Sequence, residues 1–131
     1  RKGHPNPTCI WISPEIWMMN AVWLSWEWVD LAKETYDEYK SKEKKAPLIV
    51  SFFWSKIEDY WITASKLDES SADILEINIS CPNIDDEWWK PFASCPIESA
   101  KVTEIVRKNT KKPIVIKLSP NVANIWHIAQ A

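Results

Sequence analysis

Three short runs of branched and aromatic residues, LIVSFF (48–53), DILEINI (73–79) and IVIKL (114–118), constrain the fold of this chain more than any other feature. Each has the length of a strand, and a continuous apolar run predicts a strand buried on both faces. The segments around them have helical spacing. Before the first run, Val29, Ala32, Tyr36 and Tyr39 recur at i, i+3, i+7 and i+10 with charges between them. After it, Ile57, Tyr60, Ala64 and Leu67 form a second stripe, and Ser55 with Glu58 has the spacing of a capping box. Pro96 suits the first turn of a third helix, which carries Ile97, Ala100, Ile105 and Val106 inward. SPNV, after the last run, leads into a further helix. Residues 1–28 read as irregular, with Pro5, Pro7 and Pro14 arguing against a long helix.

Strands alternating with helices across short connections predict an α/β fold, a parallel sheet with helices outside it. A doubly wound sheet and a (β/α)8 barrel both satisfy this pattern. Three strands cannot close a barrel, which takes about 250 residues. On the barrel reading the chain is therefore a partial (β/α)8 TIM barrel. Residues 1–131 are expected to form a single domain truncated at both ends, since Arg1 stands in place of a Met and NIWHIAQA reads as a helix cut midway.

Composition narrows the partners. The formal net charge is −2, and the one basic stretch, KSKEKKAP, reads as a solvated helix end, so no nucleic-acid surface is expected. No apolar stretch approaches the roughly 20 residues of a membrane span. Cys9, Cys81 and Cys95 are odd in number and lack CxxC spacing. They read as free thiols of a cytoplasmic protein, with no metal site.

In either parallel architecture ligands bind at the carboxyl ends of the strands. There the sequence places Asn78, Ser80, Cys81, Pro82 and Asn83 after the second run, and Lys117, Ser119 and Asn121 around the end of the third. Taken singly, Cys81 reads more readily as a small buried hydrophobe, and Asn78 and Asn83 can be residues satisfying turn backbone. Lys117 is harder to dismiss, because it interrupts an apolar strand. A buried ammonium needs a partner. No nearby carboxylate is evident, and a bound anionic cofactor would supply one.

EINISCPN (76–83) followed by PIVIKLSPNV (113–122) resembles the class 1 dihydroorotate dehydrogenases. NPT (6–8), MMNAV.L (18–24), SFF.S (51–55), DE..KPF (86–92) and PIESA (96–100) follow in that family's order and spacing. The resemblance implies an FMN-binding barrel that oxidises dihydroorotate to orotate in pyrimidine (UMP) biosynthesis. It makes Cys81 the base that removes the C5 proton while the C6 hydrogen passes as hydride to FMN. It makes Asn20, Asn78 and Asn83 the amides that grip the pyrimidine and its carboxylate, with Asn78 also near the flavin. Val22, Trp23 and Leu24 frame the substrate loop. Lys117 lies beside the flavin edge where negative charge develops on reduction. NAV.LS is similar to the form that pairs with an iron–sulfur FAD subunit and reduces NAD, on a homodimeric core. Two rivals stand beside this reading: a dihydropyrimidine dehydrogenase-type flavin domain, and a non-catalytic aromatic-rich binding module.

The chain departs from the family at Cys95, where Asp usually precedes the helix, and in its tryptophans. It has ten Trp and one Gly, against the roughly nine glycines of an average chain this long. The family reads glycine where this chain has Trp23, and also at Trp17, Trp28, Trp54, Trp88 and Trp89. Glycine also fits at Trp11, Trp26, Trp61 and Trp126. A bulky residue in a glycine-only backbone region costs about 1–3 kcal/mol, and overpacking adds about as much. Several such sites would consume a domain's roughly 5–15 kcal/mol of stability. The expectation is that UGA codons meant as glycine have been translated as tryptophan. A genuine aromatic platform is the competing reading.

Overall fold

A computed structural model of the chain describes residues 9–11, 13, 18–20, 29–42, 45–81 and 90–131, with residues 11 and 18–20 given by their backbone. Two short strands, β1 (Cys9–Trp11) and β2 (Met18–Asn20), pair antiparallel with Cys9 opposite Asn20. The sequence reading treats this region as irregular. Strands of three residues separated by Pro14 are too short to show an alternating pattern. Next come helix α1 (Val29–Lys42), β3 (Ile49–Phe52), α2 (Ile57–Asp68) and β4 (Ile74–Asn78). A 3-10 turn at Phe92–Ser94 leads into α3 (Pro96–Lys108), and β5 (Ile114–Lys117) and the short α4 (Ile125–Ala129) follow.

Strands β3, β4 and β5 form one parallel sheet in chain order, with Ser51 paired to Glu76 and Asn78 to Lys117. Successive side chains on a strand point to opposite faces, and here the two faces differ sharply. Val50, Phe52, Leu75 and Ile77 are buried against Tyr60, Ala64 and Leu67 of α2 and Val102 and Val106 of α3. Val29 and Tyr36 of α1 pack against the same core. On the other face Ile49 is 54% exposed and Val115 48%. Within the described residues the burial that the apolar runs predict is therefore seen on one face. Among the described residues, helices cover only one face. A doubly wound sheet would carry helices on both. Sequential parallel strands with all helices outside form an arc of a (β/α)8 barrel.

Local signals are partly realised. Helix α2 starts at Ile57 with Lys56 as its N-cap and no side-chain cap, so Ser55 sits one residue too early for the predicted capping box. Pro96 occupies the first turn of α3, and Cys95 precedes it without capping the helix by its side chain. The buried stripe of α3 is Ser99, Val102 and Val106, which leaves Ile97 66% exposed rather than inward. In α1, Ala32 is buried while Tyr39 is exposed.

Two carboxylates fix the connections. Asp68, at the end of α2, accepts from Thr110 Oγ1 at 2.5 Å and Lys111 N at 2.7 Å, tying down the turn before β5. Asp73 accepts from Leu48 N at 2.7 Å and Lys40 Nζ at 2.8 Å, aligning the starts of β3 and β4.

Candidate functional site

Parallel strands bring their carboxyl ends to one rim, and the Asn78–Lys117 register puts the two polar strand-end residues side by side. Asn78 is 8% exposed. Its Oδ1 accepts from Ser80 N at 3.2 Å, Ser80 Oγ at 3.1 Å and Lys117 Nζ at 3.3 Å. Lys117 Nζ also donates to Ser80 Oγ at 2.8 Å. The Ser80 hydroxyl therefore donates to one partner and accepts from the other. The Lys117 ammonium is exposed rather than buried, because it lies on the face that the helices leave open. Both of these partners are neutral oxygens.

Cys81, one residue beyond Ser80, is 8% exposed and a free thiol, as are Cys9 and Cys95. The backbone before it is held at two successive carbonyls. Tyr60 Oη donates to Asn78 O at 2.9 Å, and Ala93 N donates to Ile79 O at 3.0 Å. Tyr60 is fully buried, and burial raises its phenol well above the ordinary value. A backbone hydrogen bond with Trp54 partly offsets that rise, and the proximity of Cys81 adds to it.

Of the residues singled out by sequence, Asn78, Ser80 and Lys117 are hydrogen-bonded together at the β4 exit, and Cys81 follows Ser80 in the chain. Asn20 ends β2, and only its backbone is described, paired with Cys9. Val22, Trp23, Leu24, Pro82 and Asn83 lie outside the described residues. Ser119 and Asn121 make a local turn, with Asn121 N donating to Ser119 Oγ at 3.2 Å. Two features go beyond the sequence reading. The helical stripe identifies Tyr60 as core only, although a tyrosine on a fully buried stripe must place its hydroxyl somewhere. The Ser51 Oγ to Glu76 Oε1 hydrogen bond, at 2.8 Å on the open face, was signalled by polar residues at alternating positions within apolar runs.

Among the described residues no group of three or more His, Cys, Asp or Glu side chains is placed to hold a metal ion. No helix among them is long and apolar enough to cross a membrane.

The family model for dihydroorotate dehydrogenase matches residues 1–131. The chain is 35% identical over 132 residues to the catalytic subunit of dihydroorotate dehydrogenase B (NAD(+)) of Oceanobacillus iheyensis, covering 100% of this chain and 42% of that protein. Identity to the same subunit of Citrifermentans bemidjiense is also 35%, with the same coverage. With the subunit of Pelobacter propionicus it reaches 43% over 86 residues, covering 65% of this chain and 28% of the relative. The chain thus spans about 42% of the length of the curated relatives that it matches in full. By the family match and these identities, the chain belongs to the dihydroorotate dehydrogenase family.

Proposed function

We propose that the full protein oxidises dihydroorotate to orotate in pyrimidine biosynthesis, with Cys81 as the base. The observation that carries this reading is the hydrogen-bonded group of Asn78, Ser80 and Lys117 at one strand exit, with the shielded Cys81 thiol on the next residue. A substrate ring at that rim meets amide and hydroxyl groups that orient it and a thiol that can remove its C5 proton. Cys81 is shielded, so water competes poorly for the proton position. In this reading Asn20 and Asn83 add further amides to the substrate site, and Val22, Trp23 and Leu24 shape its loop.

The family works with a flavin, and we take it to be FMN. When bound, FMN supplies the two-electron acceptor that a thiol and amides cannot provide. The fit rests on Lys117. An ammonium has three donors, and this one lies exposed on the open face against two neutral oxygens at 2.8 and 3.3 Å, which suits an anionic flavin edge. Asn78, bonded to that ammonium, would align the flavin side of the site with the substrate side. Because relatives are named NAD(+)-type catalytic subunits, we extend the proposal to an iron–sulfur FAD partner that passes electrons to NAD. A homodimeric core and a cytoplasmic location belong to the same reading.

The test is anaerobic single-turnover reduction of the flavin by dihydroorotate in the full-length protein. Cys81→Ser is expected to slow reduction by about 10²–10⁴-fold while orotate still binds. Reduction at the wild-type rate removes Cys81 from the role. Binding of uracil in preference to orotate would move the protein to the dihydropyrimidine class.

A further inference from the structure

We propose that Tyr60 is a positioning residue for this rim: by donating its hydroxyl to the Asn78 carbonyl, it sets the path on which β4 leaves the sheet and presents Cys81. The inference rests on the reading of Cys81 as the base. A buried hydroxyl needs a partner, and had packing been the only requirement, phenylalanine would have filled the same volume without that demand. The ring itself is fixed. Its centroid lies 6.0 Å from that of Phe52, tilted by 46°, and 5.9 Å from that of Phe92, edge-on at 74°. The hydroxyl is thereby aimed at Asn78 O, 2.9 Å away.

What it holds is informative. Asn78 is the last residue of β4, and the next carbonyl, Ile79 O, is taken by Ala93 N at 3.0 Å. The two peptide planes that precede Ser80 and Cys81 are therefore both oriented from outside the sheet. One anchor comes from α2 and the other from the turn before α3. Asn78 in turn carries Ser80 and Lys117 on its side chain, so a rotation of its peptide is transmitted to every polar group of the rim. Misplacement of a reacting group by about 1 Å can lower a rate about 10²-fold.

The experiment uses the full-length flavoprotein as wild type, Tyr60→Phe and Phe52→Leu. The Phe52 variant loosens the same aromatic cluster without touching the hydroxyl. Two readouts are taken: iodoacetamide labelling of each cysteine followed by mass spectrometry, and single-turnover flavin reduction resolved into dihydroorotate affinity and limiting rate. Tyr60→Phe is expected to label Cys81 about 5-fold faster with Cys95 unchanged, and to lower the limiting rate by about 10–100-fold. Phe52→Leu should lower the melting temperature at least as far, yet keep the wild-type Cys81 to Cys95 labelling ratio and limiting rate. The proposal is overturned if Tyr60→Phe keeps the wild-type ratio and rate, or if Phe52→Leu reproduces both changes. A wild-type flavin that dihydroorotate does not reduce would refute the functional reading instead, and the labelling ratio would then decide the role of Tyr60 alone.

Discussion

Strands β4 and β5 lie side by side in the same parallel sheet and read alike in sequence, yet they hold their residues very differently. In β4, Leu75 and Ile77 are fully buried beneath α2 and α3, and the strand has a hydrogen-bonded neighbour on each side. In β5, Ile114 and Ile116 are only partly buried, and Val115 and Lys117 are exposed. Both strands put polar groups on the open face, where Asn78 meets Lys117. Burial thus belongs to a strand's neighbours, while the side on which its polar residues emerge belongs to the strand itself.

The widest separation between the two strands should appear in stability. In the 131-residue chain, Leu75→Ala is expected to cost about 2–5 kcal/mol in denaturant unfolding, and Val115→Ala no more than about 1 kcal/mol. Equal losses would mean that β5 is as deeply packed as β4. Next in size, Asp68→Ala removes the acceptor that ties the end of α2 to the turn before β5, leaving Thr110 Oγ1 and Lys111 N without it. A loss of about 1–2 kcal/mol is expected, together with faster amide exchange in β5 than in β4. Exchange that rises equally in both strands would break the comparison.

A smaller effect separates the sheet by pH. Hydrogen bonds from Ser71 and Lys33 hold the Asp37 carboxyl at about 2, below its ordinary 3.8. Thr110 lowers Asp68, and Lys40 lowers Asp73. A depressed carboxyl stabilises the fold above its ordinary value, and that contribution is lost as pH falls through the folded value. Acid should therefore weaken the protein progressively below about pH 4. Because the Asp37 side chain is 37% exposed and so partly screened by solvent, Asp37→Asn should change that dependence by less than about 1 kcal/mol. Urea unfolding at about pH 6 and about pH 3 measures it, and a variant that gains stability as pH rises as steeply as wild type would remove Asp37 from the effect. Smallest of all, removing the exposed Lys108–Glu104 pair on α3 should leave unfolding stability essentially unchanged. A larger shift would show that α3 is less firmly anchored than its buried stripe suggests.

Much of the site could be read from residues alone. Ser51, Glu76, Asn78 and Lys117 interrupt apolar runs, and all four fall on the open face, as a period of two requires. The described residues cover one side of those runs, and in a (β/α)8 barrel the other side faces an interior filled by side chains from all the strands. Tyr60 was unreadable for a similar reason: the helical stripe gives its direction, but the partner of its hydroxyl is 18 positions away in sequence. The predicted capping box failed by one residue, a shift that only the helix start decides.

The tryptophans divide in the same way. Trp54 is accommodated, half-buried against the core with its Nε1 donating to Thr63 Oγ1 at 2.7 Å, while Trp61 and Trp126 are exposed. Trp17, Trp23, Trp26, Trp28, Trp88 and Trp89 lie outside the described residues. UGG codons at these positions would establish tryptophan, and UGA codons with glycine in the native peptide masses would establish the misreading.

By itself the sequence determined the alternation of strand and helix, the stripes that carry most of the core, and the cluster of amide, hydroxyl, thiol and ammonium at the strand ends. Periodicity and local chemistry are properties of neighbouring residues, so they survive without a structure. The tertiary structure decided which face the helices cover, that Lys117 is exposed and bonded to Asn78 and Ser80, and that Tyr60 secures the exit of β4. Each of these depends on contacts between residues far apart in the chain, and such contacts exist only once the sheet and its helices have packed.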